Sequence, residues 1–252
     1  MTIPEARPMA ARGALRGVLP EGCLLVVEGA QTGARNMALD EEYLLETQAN
    51  PDASALLRLY AWQPFTASLG RHQREAEIDA AECAARGYDV VRRPTGGRAV
   101  LHAREITYSL ILRHGAANPH EIYRQTHLWI LRGLEILGAE GVEFGRHQPD
   151  FREHYRTIRS AACFASSARN ELLWRGRKIV GSAQRISGAA LLQHGSILLG
   201  DGHEDIADVV ACPADERAAL REFLRGSSAT LEHITGKSVG FAQAADALTE
   251  AL

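Results

Sequence analysis

Cysteine is scarce in this sequence: Cys23, Cys83, Cys163 and Cys212 are the four in 252 residues, and no two form a CxxC pair. A disulfide scaffold and a zinc ribbon are thereby excluded, and the thiols fit a reducing cytoplasm. An excess of charge of one sign is missing too. Lys and Arg number 28 against 31 Asp and Glu, a formal net charge of −3. A nucleic-acid binder would show a strongly basic balance, so no nucleic-acid partner is expected. No apolar run approaches membrane-spanning length, and no membrane association is expected. Residues 1–22 lack the apolar core of a signal peptide and hold Glu5 with two early prolines; they read as a flexible leader. Internal repeats and low-complexity tracts are absent. Ten histidines invite a metal site, yet HExxH and any Cys/His pairing are missing, and none is expected.

What is present is an ordinary globular balance, 46% hydrophobic and 23% charged, with length for one domain over residues 23–252. Periodicity predicts a strand at 24–28 and an amphipathic helix at 36–48, with Asn36 as its cap. Strands follow at 55–62 and 66–70, then a short helix at 79–86 closed by Gly87. Further strands are predicted at 88–92 and 105–113, the longest helix at 120–137, and a short strand at 142–145. Residues 146–159 read as a loop or lid, and 161–165 and 170–174 as short strands. A hairpin occupies 177–199, turning at Ser187-Gly188. Beyond 205 the chain reads as several helices, one starting at 213–216 and another ending the chain from 241. Strands outnumber the helices that could cross over between parallel neighbours. The fold class is therefore α+β, a mixed or antiparallel sheet flanked by helices.

Three stretches carry chemistry. In the hairpin, Lys178 precedes Gly181-Ser182-Ala183, a small-residue face that lets a ligand approach a strand backbone. The opposite strand carries Gln193-His194-Gly195-Ser196, unusual for a core strand. A lone Lys at a strand start is otherwise a solvated edge charge. The second stretch, Arg92-Arg93-Pro94-Thr95-Gly96-Gly97-Arg98, links two strands and ends near His102. Its paired glycines can take positive φ and wrap a loop around an elongated ligand, or simply make a turn. It is neither a P-loop nor GxGxxG. Arg92 and Arg93 are candidates for pairing with an anionic ligand or carrier protein, or are solvated strand-end charges. The third is Cys163, either a small buried hydrophobe or a nucleophile whose thiol is activated by a cation such as Lys178. His102 and His194 are candidate proton shuttles or hydrogen-bonded structural histidines.

Taken together and in order, RRPTGGRAVLH, ACF and GRKIVGSAQR with QHGSILL resemble the lipoate–protein ligase and octanoyltransferase family, related to biotin ligases. The resemblance runs from about residue 36 to the helices after 200. It implies a biotin/lipoate ligase-type catalytic domain, and the motifs look most like the cysteine-dependent octanoyltransferases. On that resemblance, Cys163 would take an octanoyl group from acyl carrier protein and pass it to a lysine of a lipoyl carrier domain. Such a domain would be a glycine cleavage H protein or a dehydrogenase E2 subunit. Lys178 would be the second catalytic residue, and no cofactor would be needed. Arg92, Arg93, Thr95, Gly96, Gly97, His102, Gly181, Ser182, Ala183 and His194 would bind substrate. Three alternatives stay open: an ATP- and Mg-dependent lipoate ligase, a non-catalytic binder of lipoylated carriers, and a Cys/His hydrolase. Two departures from the family pattern stand out. Ala103 and Ala165 occupy positions where relatives often carry Asp, which leaves open how the carrier lysine is deprotonated.

Overall fold

The computed structural model describes residues 6–9, 13–115, 117–145 and 171–252. The expected loop at 146–159, the expected strand at 161–165 and Cys163 within it lie outside the described residues. In chain order the strands are Arg7–Pro8 (β1), Leu24–Gln31 (β2), Leu56–Trp62 (β3), Thr66–Leu69 (β4), Asp89–Arg92 (β5) and Val100–His102 (β6). They continue as Glu105–Arg113 (β7), Val142–Phe144 (β8), Leu172–Trp174 (β9), Arg177–Lys178 (β10), Val180–Ser187 (β11) and Ala190–Leu198 (β12). The helices are Gly33–Ala49 (α1), Ala80–Ala85 (α2), Pro119–Ile136 (α3), Ile206–Val209 (α4), Ala214–Ser227 (α5), Leu231–Thr235 (α6) and Phe241–Glu250 (α7).

A six-stranded sheet in the order β1-β2-β3-β7-β12-β11 forms the body. β2 and β3 run parallel, and the β3–β7, β7–β12 and β12–β11 pairs are antiparallel. The alternation of β7 decides what covers each face. Ile106, Tyr108, Leu110 and Leu112 enter one core with Ile122, Trp129, Ile130 and Leu134 of α3 and Ala244, Ala245 and Leu248 of α7. Ile111 points the other way, into a core with Tyr43 and Leu44 of α1, Val26 and Leu192. Both faces are thus sheathed by helices, as the apolar run of β7 requires. A second sheet, β5-β4-β6, packs Ala67, Leu69 and Leu101 with Cys83, Ile206, Val209, Leu220 and Leu224. A third, β10-β9-β8, leads into the hairpin. Among the described residues, no helix is long and apolar enough to cross a membrane.

Two expectations need correction. Helix α1 starts a turn before Asn36. Thr32 is the cap, its Oγ1 accepting the Arg35 N–H at 3.3 Å. Gly33 belongs inside because α1 lies against β4: a Cβ there would stand 2.6 Å from Thr66 Cγ2. Asn36 is instead buried, its Nδ2 donating to the Ala61 carbonyl at 3.1 Å. The described part of the expected leader is also packed. Leu15 and Leu19, four residues apart, are buried in the core that holds Trp129, and β1 pairs with Leu24 and Leu25.

Candidate active site

Strands β11 and β12 put Gly181 opposite Ser196, Ser182 opposite Gly195 and Ala183 opposite His194. Alternation sends Ser196 and His194 to the face of the sheet that α1 covers. Opposite them, Gly181 and Ala183 leave room. The result is a narrow cleft, walled by Met37, Tyr60, Trp62, Arg93, Val100, His102 and Thr107 and floored by residues 181–183 and 194–196. Ser182 borders the cleft, yet its hydroxyl serves the opposite face, 2.7 Å from Tyr108 OH and 2.8 Å from His127 Nε2. Gly195 permits this arrangement, since a Cβ there would meet Ser182 Oγ at 2.4 Å.

The two candidate histidines both line the cleft, and each bridges a buried carboxylate to a hydroxyl. His194 Nδ1 lies 3.1 Å from Asp40 Oδ2, and its Nε2 lies 2.6 Å from Thr95 Oγ1. Asp40 also accepts from Arg58 Nη1 and, at 3.1 Å, from Tyr60 OH. Arg58 in turn donates to Glu28 Oε2 from Nε at 3.1 Å and Nη2 at 2.7 Å. Burial alone would push the Asp40 carboxyl up; the Arg58 guanidinium and the His194 hydrogen bond outweigh it and hold the carboxyl below its ordinary value. Burial lowers the His194 pKa against the pull of Asp40, which favours the neutral imidazole.

His102 follows the same plan. Its Nδ1 is 2.8 Å from Glu105 Oε1, its Nε2 2.8 Å from Ser68 Oγ, and its ring lies on Trp62. Glu105 Oε1 further accepts Thr107 Oγ1–H at 2.6 Å and Ser196 Oγ–H at 2.7 Å. Burial opposes ionisation of Glu105, but His102 and these donors bring its pKa down. Trp62 Nε1–H donates to Thr107 Oγ1 at 2.8 Å, so the aromatic wall is fixed at its edge as well.

The Gly-rich loop divides. Arg93 is buried and lines the cleft; its guanidinium donates to the carbonyls of Gly96 at 2.8 Å, Arg98 at 2.7 Å and Ser68 at 3.0 Å. It is the loop's internal strut. Arg92 turns away, donating to the carbonyls of Gly70 and Gln73 and pairing with Glu75 at 3.3 Å. Gly97 takes positive φ, 94°, whereas Gly96 does not. Gly96 and Gly97 border a neighbouring depression with His72, Gln73, Glu77 and Arg98 rather than the cleft.

Lys178 is 4% exposed, which removes the reading of a solvated strand-end charge. Its Nζ is 2.6 Å from Glu171 Oε1, also buried, and it does not line the cleft. Cys163 lies outside the described residues. The other three thiols are poor nucleophiles: burial pushes Cys23 up to about 12 and Cys83 up to about 11, and raises Cys212. Among the described residues no three His, Cys, Asp or Glu side chains converge on a metal position.

Sequence reasoning missed Asp40, Arg58, Glu105, Ser68 and Trp62. Arg58 alone gave a signal, a charge amid the apolar run LLRLYAW. Among the described residues, the carboxylates beside the cleft histidines come from α1 and the start of β7.

Residues 32–252 match the family of the lipoyl protein ligase A/B catalytic domain. Among curated proteins, the chain is 38% identical over 232 residues to an octanoyltransferase LipM of Kyrpidia tusciae, covering 90% of this chain and 84% of that protein. It is 39% identical over 223 residues to an octanoyltransferase LipM of Moorella thermoacetica, with 85% and 79% covered. Among solved structures, a bi-partite lipoate protein ligase of Thermoplasma acidophilum, described with its E2 lipoyl domain, superposes with a TM-score of 0.70 at 18% identity. That match covers 90% of this chain and 80% of that one. A lipoate-protein ligase A bound with ATP gives 0.68 at 19% identity, covering 90% and 82%. These likenesses establish the catalytic-domain fold.

Proposed function

The chain belongs to the lipoyl protein ligase A/B catalytic-domain family, and we propose that it is an acyltransferase moving octanoyl groups in protein lipoylation. The observation that carries the reading is the 38–39% identity, over most of both chains, to relatives named octanoyltransferases. The cleft supports it: a narrow space between an aromatic wall and a glycine- and alanine-lined strand suits an unbranched acyl chain.

The donor in this reading is octanoyl-acyl carrier protein, and the acceptor is a lysine on a lipoyl carrier domain. The Cys163 thiolate attacks the donor thioester carbonyl. The carbon–sulfur bond to the carrier thiol breaks, and an enzyme thioester forms. The acceptor amine then attacks that thioester. A carbon–nitrogen bond forms, Cys163 leaves as thiolate, and the amine gives up a proton. Thioester exchange is near energetic balance and amide formation runs downhill, so no nucleotide or metal is consumed. The choice of Cys163 draws support from the raised thiols of Cys23, Cys83 and Cys212. Lys178 supplies the cation that favours the thiolate and the oxyanion. A cytoplasmic setting, where free thiols persist, completes the reading.

The test is transfer itself. Purified enzyme, octanoyl-acyl carrier protein and an apo carrier domain are mixed without nucleotide, and the carrier domain is weighed by mass spectrometry. Octanoylated carrier is the expected product. Modification that requires octanoic or lipoic acid with ATP and Mg would assign the chain to ligase chemistry instead.

A further inference from the structure

Three distant segments meet at one hydroxyl. Thr95 in the Gly-rich loop is fully buried, and its Oγ1 lies 2.6 Å from His194 Nε2 on β12. His194 Nδ1 lies 3.1 Å from Asp40 Oδ2 on α1. Arg58 and Tyr60 OH both donate to Asp40, so its oxygens act as acceptors and the proton facing them from His194 sits on Nδ1. A neutral imidazole has one ring proton. With that proton on Nδ1, Nε2 offers a lone pair, and Thr95 is left to donate. The lowered pKa values of both Asp40 and His194 agree with a carboxylate beside a neutral ring. The loop so held carries Arg93, which lines the cleft and is bonded to the Gly96 and Arg98 carbonyls.

We propose that Asp40 is a positioning residue for acyl transfer: acting through His194, it makes Thr95 a hydrogen-bond donor and pins the Gly-rich loop beside the acyl cleft. The arrangement follows the logic by which a buried carboxylate fixes the tautomer of a catalytic histidine. Here the fixed nitrogen grips a loop instead of a nucleophile. The proposal rests on the acyl-transfer reading for what occupies the cleft; the hydrogen-bond directions stand without it.

The experiment has two readouts on the full-length enzyme. The first is kinetic. Thr95→Val keeps the side chain's shape and removes the donor. It should raise KM for octanoyl-acyl carrier protein about tenfold, the worth of one buried hydrogen bond, with kcat little changed. Thr95→Ser restores the donor and should return KM toward wild type. The second is the ¹⁵N spectrum of the histidines, with His194 assigned by its loss in His194→Asn. The wild-type ring should be protonated on Nδ1, and Asp40→Asn, whose amide can donate, should move the proton to Nε2. Wild-type His194 protonated on Nε2 would overturn the proposal. So would a Thr95→Val enzyme that turns over the donor with unaltered KM. A wild-type enzyme that turns over no octanoyl donor would instead overturn the acyl-transfer reading, and the ring spectrum would still decide whether the clamp exists.

Discussion

Lys178 and Glu171 form a buried ion pair, Nζ to Oε1 at 2.6 Å, with each side chain 4% exposed. The lysine proposed to act through its charge is therefore also half of a buried ion pair. Removing one side chain takes this contact from a charge that is held away from water. Lys178→Ala should destabilise the protein by about 3–5 kcal/mol, as broken buried pairs do, besides cutting transfer roughly a hundredfold or more. The double variant Lys178→Met with Glu171→Gln removes both buried charges and should regain most of that stability while staying inactive. Urea denaturation of the three proteins checks this. A single variant as stable as wild type would show that the pair contributes nothing.

Gly96 and Gly97 should respond differently to a side chain. Gly97 has φ of +94°, and a Cβ there would stand 2.8 Å from Arg93 Nη2. Valine resists that φ at a cost of about 1–2 kcal/mol and would displace the guanidinium that lines the cleft. Gly97→Val should thus impair transfer in a folded protein. Gly96 has nothing within 4 Å of its would-be Cβ and no positive φ. Gly96→Ala should keep transfer within about twofold of wild type, as substitutions free of steric conflict do. Equal loss in both variants would contradict the division of labour within the loop.

Acid should destabilise the fold in two stages. The folded pKa of His194 lies below its ordinary 6.5, because burial penalises the imidazolium. The stability linked to it is complete above 6.5 and declines as pH falls past that value toward the folded pKa. Asp40 and Glu105 are lowered from ordinary values of 3.8 and 4.5, so their contribution is present above those values and is lost further down. His194→Gln should lessen the first decline, to which His203, lowered likewise by burial, also contributes. It should reduce Asp40's share of the second, which the His194 hydrogen bond supports, and leave that of Glu105. Thermal melts between pH 7 and pH 3 give the answer; a melting temperature that rises on acidification would reverse the sign.

Much of the scaffold was legible in sequence because its signals are local. Alternation marked Glu105–Arg113, Ser187-Gly188 marked the hairpin turn, and Asp79 with Gly87 bounded a short helix whose N-cap and left-handed C-terminal glycine the structure contains. The start of α1 was not legible. Gly33, a poor helix former, is tolerated there only because β4 crosses close by. Cleft-lining glycines and histidines were visible as small or polar residues in an apolar hairpin. Their partners were not. Asp40 looks like one acid among several in a helix, and Glu105 like the polar start of a strand. Each becomes a buried acceptor only when β12 and β6 bring a histidine beside it. The burial of Lys178 was not legible for the same reason: its partner Glu171 is seven residues away, and sequence alone does not place the two side chains together.

The three described thiols should lag behind Cys163 toward alkylating reagents. At neutral pH, thiols raised to about 12 at Cys23 and about 11 at Cys83 contribute almost no thiolate. Peptide mapping after brief iodoacetamide treatment should find Cys163 labelled first. Rapid labelling of Cys83 ahead of Cys163 would contradict the assignment. Cys83→Ala and Cys212→Ala should leave transfer intact.

The acyl-enzyme itself gives the most direct test of the account. Enzyme mixed with octanoyl-acyl carrier protein, without ATP, is quenched and its intact mass measured. An octanoyl adduct should form, map to Cys163 and be missing from Cys163→Ala. It should vanish when apo carrier domain is added, as octanoyl appears on the carrier lysine. A Cys163→Ala enzyme that still acylates the carrier domain from this donor, or a wild type that does so only from free acid plus ATP, would contradict the account.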